Sequence, residues 1–294
     1  MKSLLDNKAY SSKKEKATLS TSRRLPSFQK DDADRNRTSP FAFTGNRFEF
    51  RMVGSEQNIA EPNTYLNVIL GNVLNELSDI LEKAPNKEKA AWDWVKKTVK
   101  EHERIIFNGN GYSKEWELEA KKRGLANLKT TPEAIESLNR KENRELLTRS
   151  GILSEMEIES RIAIKYQDYH SKAIIEAKTM SRMAHKLYLP SIHEALKERL
   201  EEKQLLGESF EPLEKIIACL MNTLEETCKA LDKLDALLLS DSKEKRNEKE
   251  KAFFASVSLK EAMAELRAPI DRAELLVPKR LWPVPTYGDL LFHI

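Results

Sequence analysis

Apolar side chains recur every three or four positions along most of this chain, the spacing of helices with one buried face. Tyr65, Leu66, Ile69, Leu70, Val73, Leu74, Leu77, Ile80 and Leu81 follow Pro62 and Asn63. They predict a buried-face helix that ends near Lys83, before Pro85. A second helix, over 87–106, sets Trp92, Val95, Val99, His102 and Ile106 on one face, so His102 reads as a core residue. FNGNGYS at 107–113 interrupts the pattern, because Asn-Gly pairs favour positive φ. A short helix over 113–123 stops at Gly124, and Thr131, Pro132 and Glu133 begin another by a cap-then-proline start.

Gly151 and Ser154 precede the longest element, which starts near Glu155. Ile158, Ile162, Tyr166, Tyr169, Ala173, Ala177, Met180, Ala184 and Leu187 advance at a mean step of about 3.6, one face of a straight helix. Pro190 is expected to kink or end it, with helix resuming to about Leu205 and a turn at Gly207. Leu213, Ile217, Leu220, Leu224, Thr227, Leu231, Leu234 and Leu238 then alternate steps of four and three. That heptad stripe predicts a coiled-coil-like hairpin with its neighbours. SDSKEKRNEKEK at 240–251 reads as a solvated tip, and a last helix spans roughly 252–275. Two prolines in LWPVPTYGDLLFHI impose an extended path on the end of the chain, whose apolar residues are expected to pack.

Residues 34–56 differ from everything after them. DRNRTSPFAFTGNRFEFRMVGSE is rich in Phe, Arg and Thr, with breakers at Pro40, Gly45 and Gly54, and it reads as strand, turn, strand. Alternation along the second strand puts Arg47, Glu49 and Arg51 on one face and Phe48 and Phe50 on the other. If the phenylalanine face packs into a core, the charged face points into whatever lies opposite. Paired guanidiniums grip phosphate or carboxylate, and a carboxylate between them is a hard oxygen ligand for a divalent cation. A solvated strand face with cross-paired charges has the same spacing, and spacing alone does not choose between the two.

Composition fits the helical pattern: 294 residues hold 9 glycines, and 33% are charged. The net charge of +3 is uneven, with eight basic and two acidic side chains in residues 1–30. That leader lacks the apolar stretch of a secretory signal. An organelle transit peptide fits its composition, and a nucleic-acid arm would need aromatic residues among the charges. It reads as a loop or partly ordered surface segment. No apolar run is long enough to span a membrane. Cys219 and Cys228, about 13 Å apart on one helix, make neither a disulfide framework nor a zinc site. Free thiols suit a reducing, cytoplasmic compartment. Neither nucleic acid nor membrane is expected as a partner.

DRNRTSPFAFTGNRFEFRMVGS followed by EPNTYLN resembles the late catalytic segment of glutamine synthetases, and of the type III enzymes in particular. FNGNGYSKEWELEAKKRGLANLKTTPEAI, GILSEMEIESR and LWPVPTYGDLLF look like the helical extension of that family. The resemblance implies that Glu49 is a ligand of Mg²⁺ or Mn²⁺ and that Arg47 holds nucleotide phosphate. It implies that Arg51 contacts glutamate and the transferred phosphoryl group, and that Arg37 approaches the nucleotide. An arginine that other types carry five residues after Arg37 is replaced here by Ala42. The implied reaction joins ammonia to glutamate at the expense of ATP, in subunits assembled as rings.

The implied fold is mostly α with a small β portion (α+β). Residues 1–30 would be the basic leader and 31–85 the end of a catalytic domain. Residues 86–276 would form a multi-helix bundle, and 277–294 a proline-containing tail packing back on the core. The family's other metal-binding carboxylates, a histidine and a β-grasp domain lie upstream of the motif, whereas all five histidines here (102, 170, 185, 193 and 293) lie downstream. His185 and His193 lack an acidic partner in a metal-like pattern and read as surface or core residues. The chain is therefore expected to be the C-terminal portion of a glutamine synthetase, inactive alone. The alternative is a non-catalytic helical assembly or regulatory module derived from that enzyme.

Overall fold

The computed structural model describes residues 18–19, 28–29, 38–44, 47–51, 54, 57–107, 109–207 and 210–291. It is mostly α with a small β portion, ordered as short antiparallel strands followed by a multi-helix bundle. By its internal contacts the chain divides into two units, residues 1–127 with 145–153, and residues 128–144 with 154–294.

The first unit opens with two small antiparallel pairs. β1 (Thr18–Leu19) pairs with β2 (Phe28–Gln29), inside the stretch expected to be a loop. β3 (Phe41–Phe43) pairs with β4 (Phe48–Phe50), the expected strand, turn and strand. α1 (Ala60–Lys83) and α2 (Lys87–Glu101) then pack on each other, and the Asn86 side chain caps α2 by accepting the Lys89 N–H at 3.0 Å. On α1 the expected buried face is only partly covered: Tyr65, Leu66, Val73, Leu77 and Leu81 are half-buried and none of the face is fully buried. Val68 is buried, while Ile69, Leu70, Leu74 and Ile80 stand exposed. α2 ends earlier than the apolar pattern suggests, and His102 is an exposed residue at its C-terminus, not a core residue. A 3₁₀ turn (Glu103–Ile105) leads to α3 (Lys114–Lys122), capped by Ser113. There the Phe107 ring stacks on Trp116 at 3.9 Å, with the Arg123 guanidinium 5.9 and 5.6 Å from the two ring centres. Gly109 lies so close to Phe107 that a Cβ would fall 2.4 Å from the ring's Cζ.

The second unit contains α4 (Thr131–Leu138) and most of the long helices, while α5 (Lys141–Arg149) is shared in sequence between the units. α6 (Glu155–Met183) continues through a π-helical turn (Ala184–Tyr188) into α7 (Leu189–Leu206). Gly207, at φ +65°, reverses the chain into α8 (Glu211–Lys243). α9 (Glu248–Phe254) runs through a second π turn (Ala255–Leu259) into α10 (Lys260–Leu276). α8 packs against α7 and α10, and α9 against α6, so the long rods form the bundle. α8 buries Leu213, Ile217, Leu220, Thr223, Thr227, Leu231 and Leu234, close to the predicted heptad stripe. Around Leu231 and Leu234 the core holds Ala177, Ala184, Ala255, Leu259, Ala262 and Leu266. Small alanines at the crossings let the helix axes approach, and the leucines fill the space between.

Pro190 does not end the helix. The Leu189 N–H bonds the Ala184 carbonyl five residues back, and this wider turn makes room for a ring that would otherwise press on the carbonyl of Lys186. The expected solvated tip is also partly folded inward. Arg246 lies 4.1 Å above the Phe254 ring and 3.7 Å from Asp241, and Asp241 is 3.0 Å from His170 Nε2. His185 likewise pairs with Asp235 at 2.8 Å, and Ser181 donates to the same carboxylate at 2.6 Å. After α10 the tail passes a 3₁₀ turn (Lys279–Leu281), and Trp282 packs against the bundle core. The short α11 (Tyr287–Leu291) leaves Leu290 and Leu291 exposed. Cys219 and Cys228 are free thiols on the exposed side of α8. No helix among the described residues is long and apolar enough to cross a membrane.

Candidate functional site

The hairpin β3–β4 is built from alternation. Its register pairs Phe41 with Phe50, Ala42 with Glu49 and Phe43 with Phe48. One face is therefore all phenylalanine. Phe48 stacks on Phe41 at 5.0 Å and meets Phe43 at 5.1 Å, and such cross-strand aromatic pairs stabilise an isolated hairpin. This face is not buried, however. All four rings are exposed, Phe48 to 58%. The packed side is the opposite one, where Ala42 and Thr44 are buried.

That opposite side also carries Arg47, Glu49 and Arg51. The Arg51 guanidinium donates to Glu49 Oε2 from Nε at 2.9 Å and from Nη2 at 2.5 Å. Arg47 Nε stands 3.5 Å from the other oxygen, Oε1. The Arg51 bonds first, and the charges of both arginines with them, hold the Glu49 carboxyl below the usual carboxylate range, against a smaller opposing effect of burial. Glu49 is therefore ionised at neutral pH. The backbone supports the arrangement at both ends: Arg51 N–H donates to Pro40 O at 2.6 Å, and Thr44 N–H donates to Arg47 O at 2.9 Å.

Of the four residues expected from sequence, the structure thus brings three together on one strand face. Arg37 lies outside the described residues. Thr38, next to it, donates from Oγ1 to Gly111 O at 3.4 Å, in the FNGNGYS loop. Among the described residues no group of three or more His, Cys, Asp or Glu side chains could hold a metal ion. Glu49 offers one carboxylate, and an octahedral Mg²⁺ needs about six oxygens, some of them water or substrate. Sequence reading missed Thr44, whose hydroxyl is buried beside the arginines. Its signal was a Thr directly before a Gly-Asn turn.

The charged face can therefore do two things chemically. Its guanidiniums can bind the oxygens of a phosphoryl or carboxylate group, and its carboxylate can take part in holding a divalent cation. Comparison with known proteins bears on which chemistry that is. A family model for the glutamine synthetase C-terminal domain matches residues 90–205. The chain is 35% identical over 284 residues to the type-3 glutamine synthetase of Dictyostelium discoideum, covering 91% of this chain and 38% of that protein. It is 33% identical over 285 residues to a glutamine synthetase of Bacteroides fragilis, with 92% and 38% covered. A glutamine synthetase of Butyrivibrio fibrisolvens is 34% identical over 290 residues, with 91% and 39% covered. The chain thus spans well under half the length of the curated relatives it matches.

Proposed function

We propose that this chain, similar over most of its length to the C-terminal part of type III glutamine synthetases, contributes one strand face to the active site of an ATP-dependent glutamate–ammonia ligase. The observation that carries this reading is an ionised carboxylate, Glu49, held between Arg47 and Arg51 on one face of a hairpin. In such a ligase the γ-carboxylate of glutamate takes the γ-phosphoryl group of ATP, and ammonia then displaces phosphate. Positioning and charge neutralisation lower most of that barrier. Arg47 holds nucleotide phosphate, Arg51 binds glutamate and the moving phosphoryl group, and Arg37 approaches the nucleotide from the residues before β3. Bound Mg²⁺ or Mn²⁺ neutralises phosphate charge, and Glu49 fits it as one ligand.

The remaining ligands come from outside this chain's described residues, and the exposed phenylalanine face with the exposed apolar residues of α1 offers the part of such enzymes that this chain does not cover an apolar surface. By the same likeness the subunits assemble as rings in the cytoplasm. The test is synthesis of γ-glutamyl hydroxamate by the purified chain, alone and co-expressed with the part of a type III relative that it does not cover. No turnover alone and turnover in combination is expected, abolished by Glu49→Gln. Turnover by the chain alone overturns the proposal, as does an inactive combination in which both parts are folded and associated. The second outcome favours a non-catalytic module.

A further inference from the structure

We infer that Thr44 is a positioning residue for Arg47, its buried hydroxyl fixing the peptide from which that guanidinium reaches Glu49. The inference rests on the reading of Arg47 as a phosphate-binding residue. Thr44 is 0% exposed, although hydroxyl side chains mostly lie at the surface. Its Oγ1 donates to the Arg47 carbonyl at 3.2 Å, and its backbone N–H donates to the same oxygen at 2.9 Å. Any residue closing this hairpin supplies the second bond. Of the aliphatic-sized side chains, only Thr or Ser supplies the first.

Two donors on one oxygen fix both the position and the tilt of the peptide that leads from Arg47 into Phe48 and Glu49. This matters because the Arg47 side chain is 54% exposed, so packing holds it less than backbone direction does. Thr44 and Ala42 also form the small-residue half of the charged face, since the register sets Ala42 across from Glu49. On that face the Arg47 Nε lies 3.5 Å from the Glu49 carboxylate. A buried hydroxyl that clamps a carbonyl is thus the device that aims an otherwise half-exposed arginine.

Thr44→Val keeps the shape and removes the donor, and Thr44→Ser keeps the donor. Two readouts separate the possibilities: hydrogen exchange of peptides covering residues 44–51 in the full chain, and calorimetric titration with MgATP of that chain combined with the part of a type III relative that it does not cover. Thr44→Val should raise exchange in that segment and weaken MgATP about fivefold to tenfold, the effect of one hydrogen bond. Thr44→Ser should return both toward wild type, which a loss of packing alone would not do. Unchanged exchange in Thr44→Val overturns the inference, and so does a Thr44→Ser protein as impaired as Thr44→Val. A wild-type combination that is folded and associated but lacks MgATP affinity overturns the reading of Arg47 instead, and the exchange comparison alone then upholds or overturns the clamp.

Discussion

Glu49 divides its oxygens between two guanidiniums, and the geometry of the Arg51 contact is a fork of two donors on one oxygen. Lysine keeps the charge and loses the fork. Arg51→Lys should therefore lower hydroxamate synthesis by the complemented enzyme about a hundredfold, while far-ultraviolet circular dichroism stays unchanged. Gly109 makes a different kind of prediction. A Cβ there would meet the far end of the Phe107 ring, which would have to shift on its stack with Trp116. Gly109→Ala should destabilise the chain by about 1–3 kcal/mol in urea unfolding. Gly71→Ala, on α1 with nothing within 4 Å, should instead stabilise by about 0.5–1 kcal/mol. At this scale alternation along β4 was enough to set Arg47, Glu49 and Arg51 on one face. It could not say which face of the hairpin packs, because that depends on what lies opposite. Nor could it pair His170 with Asp241, since partners 71 residues apart leave no local pattern.

Three helices of the second unit begin with a capping box: Thr130 with Glu133, Ser154 with Glu157, and Asn247 with Glu250. Ser154→Ala should cost about 1 kcal/mol by thermal unfolding. The box also has a pH dependence of known sign. Bonds from the Ser154 backbone and side chain hold Glu157 below its ordinary 4.5, so their stabilisation is present above that value and is lost as pH falls through the folded-state value. The melting temperature of wild type should therefore fall more between pH 7 and pH 3 than that of a Ser154→Ala, Glu157→Gln double variant. Tyr166 acts at the other end of the scale: burial first, and then its bond to Glu136, push its phenol above 10.0. The unfolded chain gives up that proton earlier, so stability should decline as pH rises past about 10. Helix existence was legible throughout from the 3.6-residue stripe. The fate of the chain at Pro190 was not, because a π turn differs from a break by one residue of hydrogen-bond register.

On the whole molecule, legibility follows how far each unit buries its own apolar pattern. The bundle of the second unit buries its own stripes, so its apolar pattern predicted its core. The stripe on α1 and the phenylalanine face of the hairpin predicted fuller burial than the described residues provide. A surface of that kind binds hydrophobic dyes and promotes association. Phe48→Ser with Phe50→Ser should reduce dye fluorescence while the melting of the helical bundle stays unchanged, since the rings stack on the hairpin's own Phe41 and Phe43 and any loosening is confined to the hairpin. Co-expression with the uncovered part of a relative should quench the same signal and protect the α1 amides from exchange. Dye binding that persists in the active combination would show that this face serves another purpose.

The π turn at 184–188 has a consequence for how the long rod tolerates changes in length. Ala184 and Ile192 are both fully buried, eight residues apart, where two ordinary helical turns span about seven. The rod thus carries one residue more than its packing needs. A deletion elsewhere in α6 would swing every later side chain about 100° around the axis and strip the core of its contacts. A deletion within 184–188 should convert the wide turn to a regular one and leave both flanking faces in place. This short stretch is therefore where homologous chains of different length are expected to place single-residue gaps.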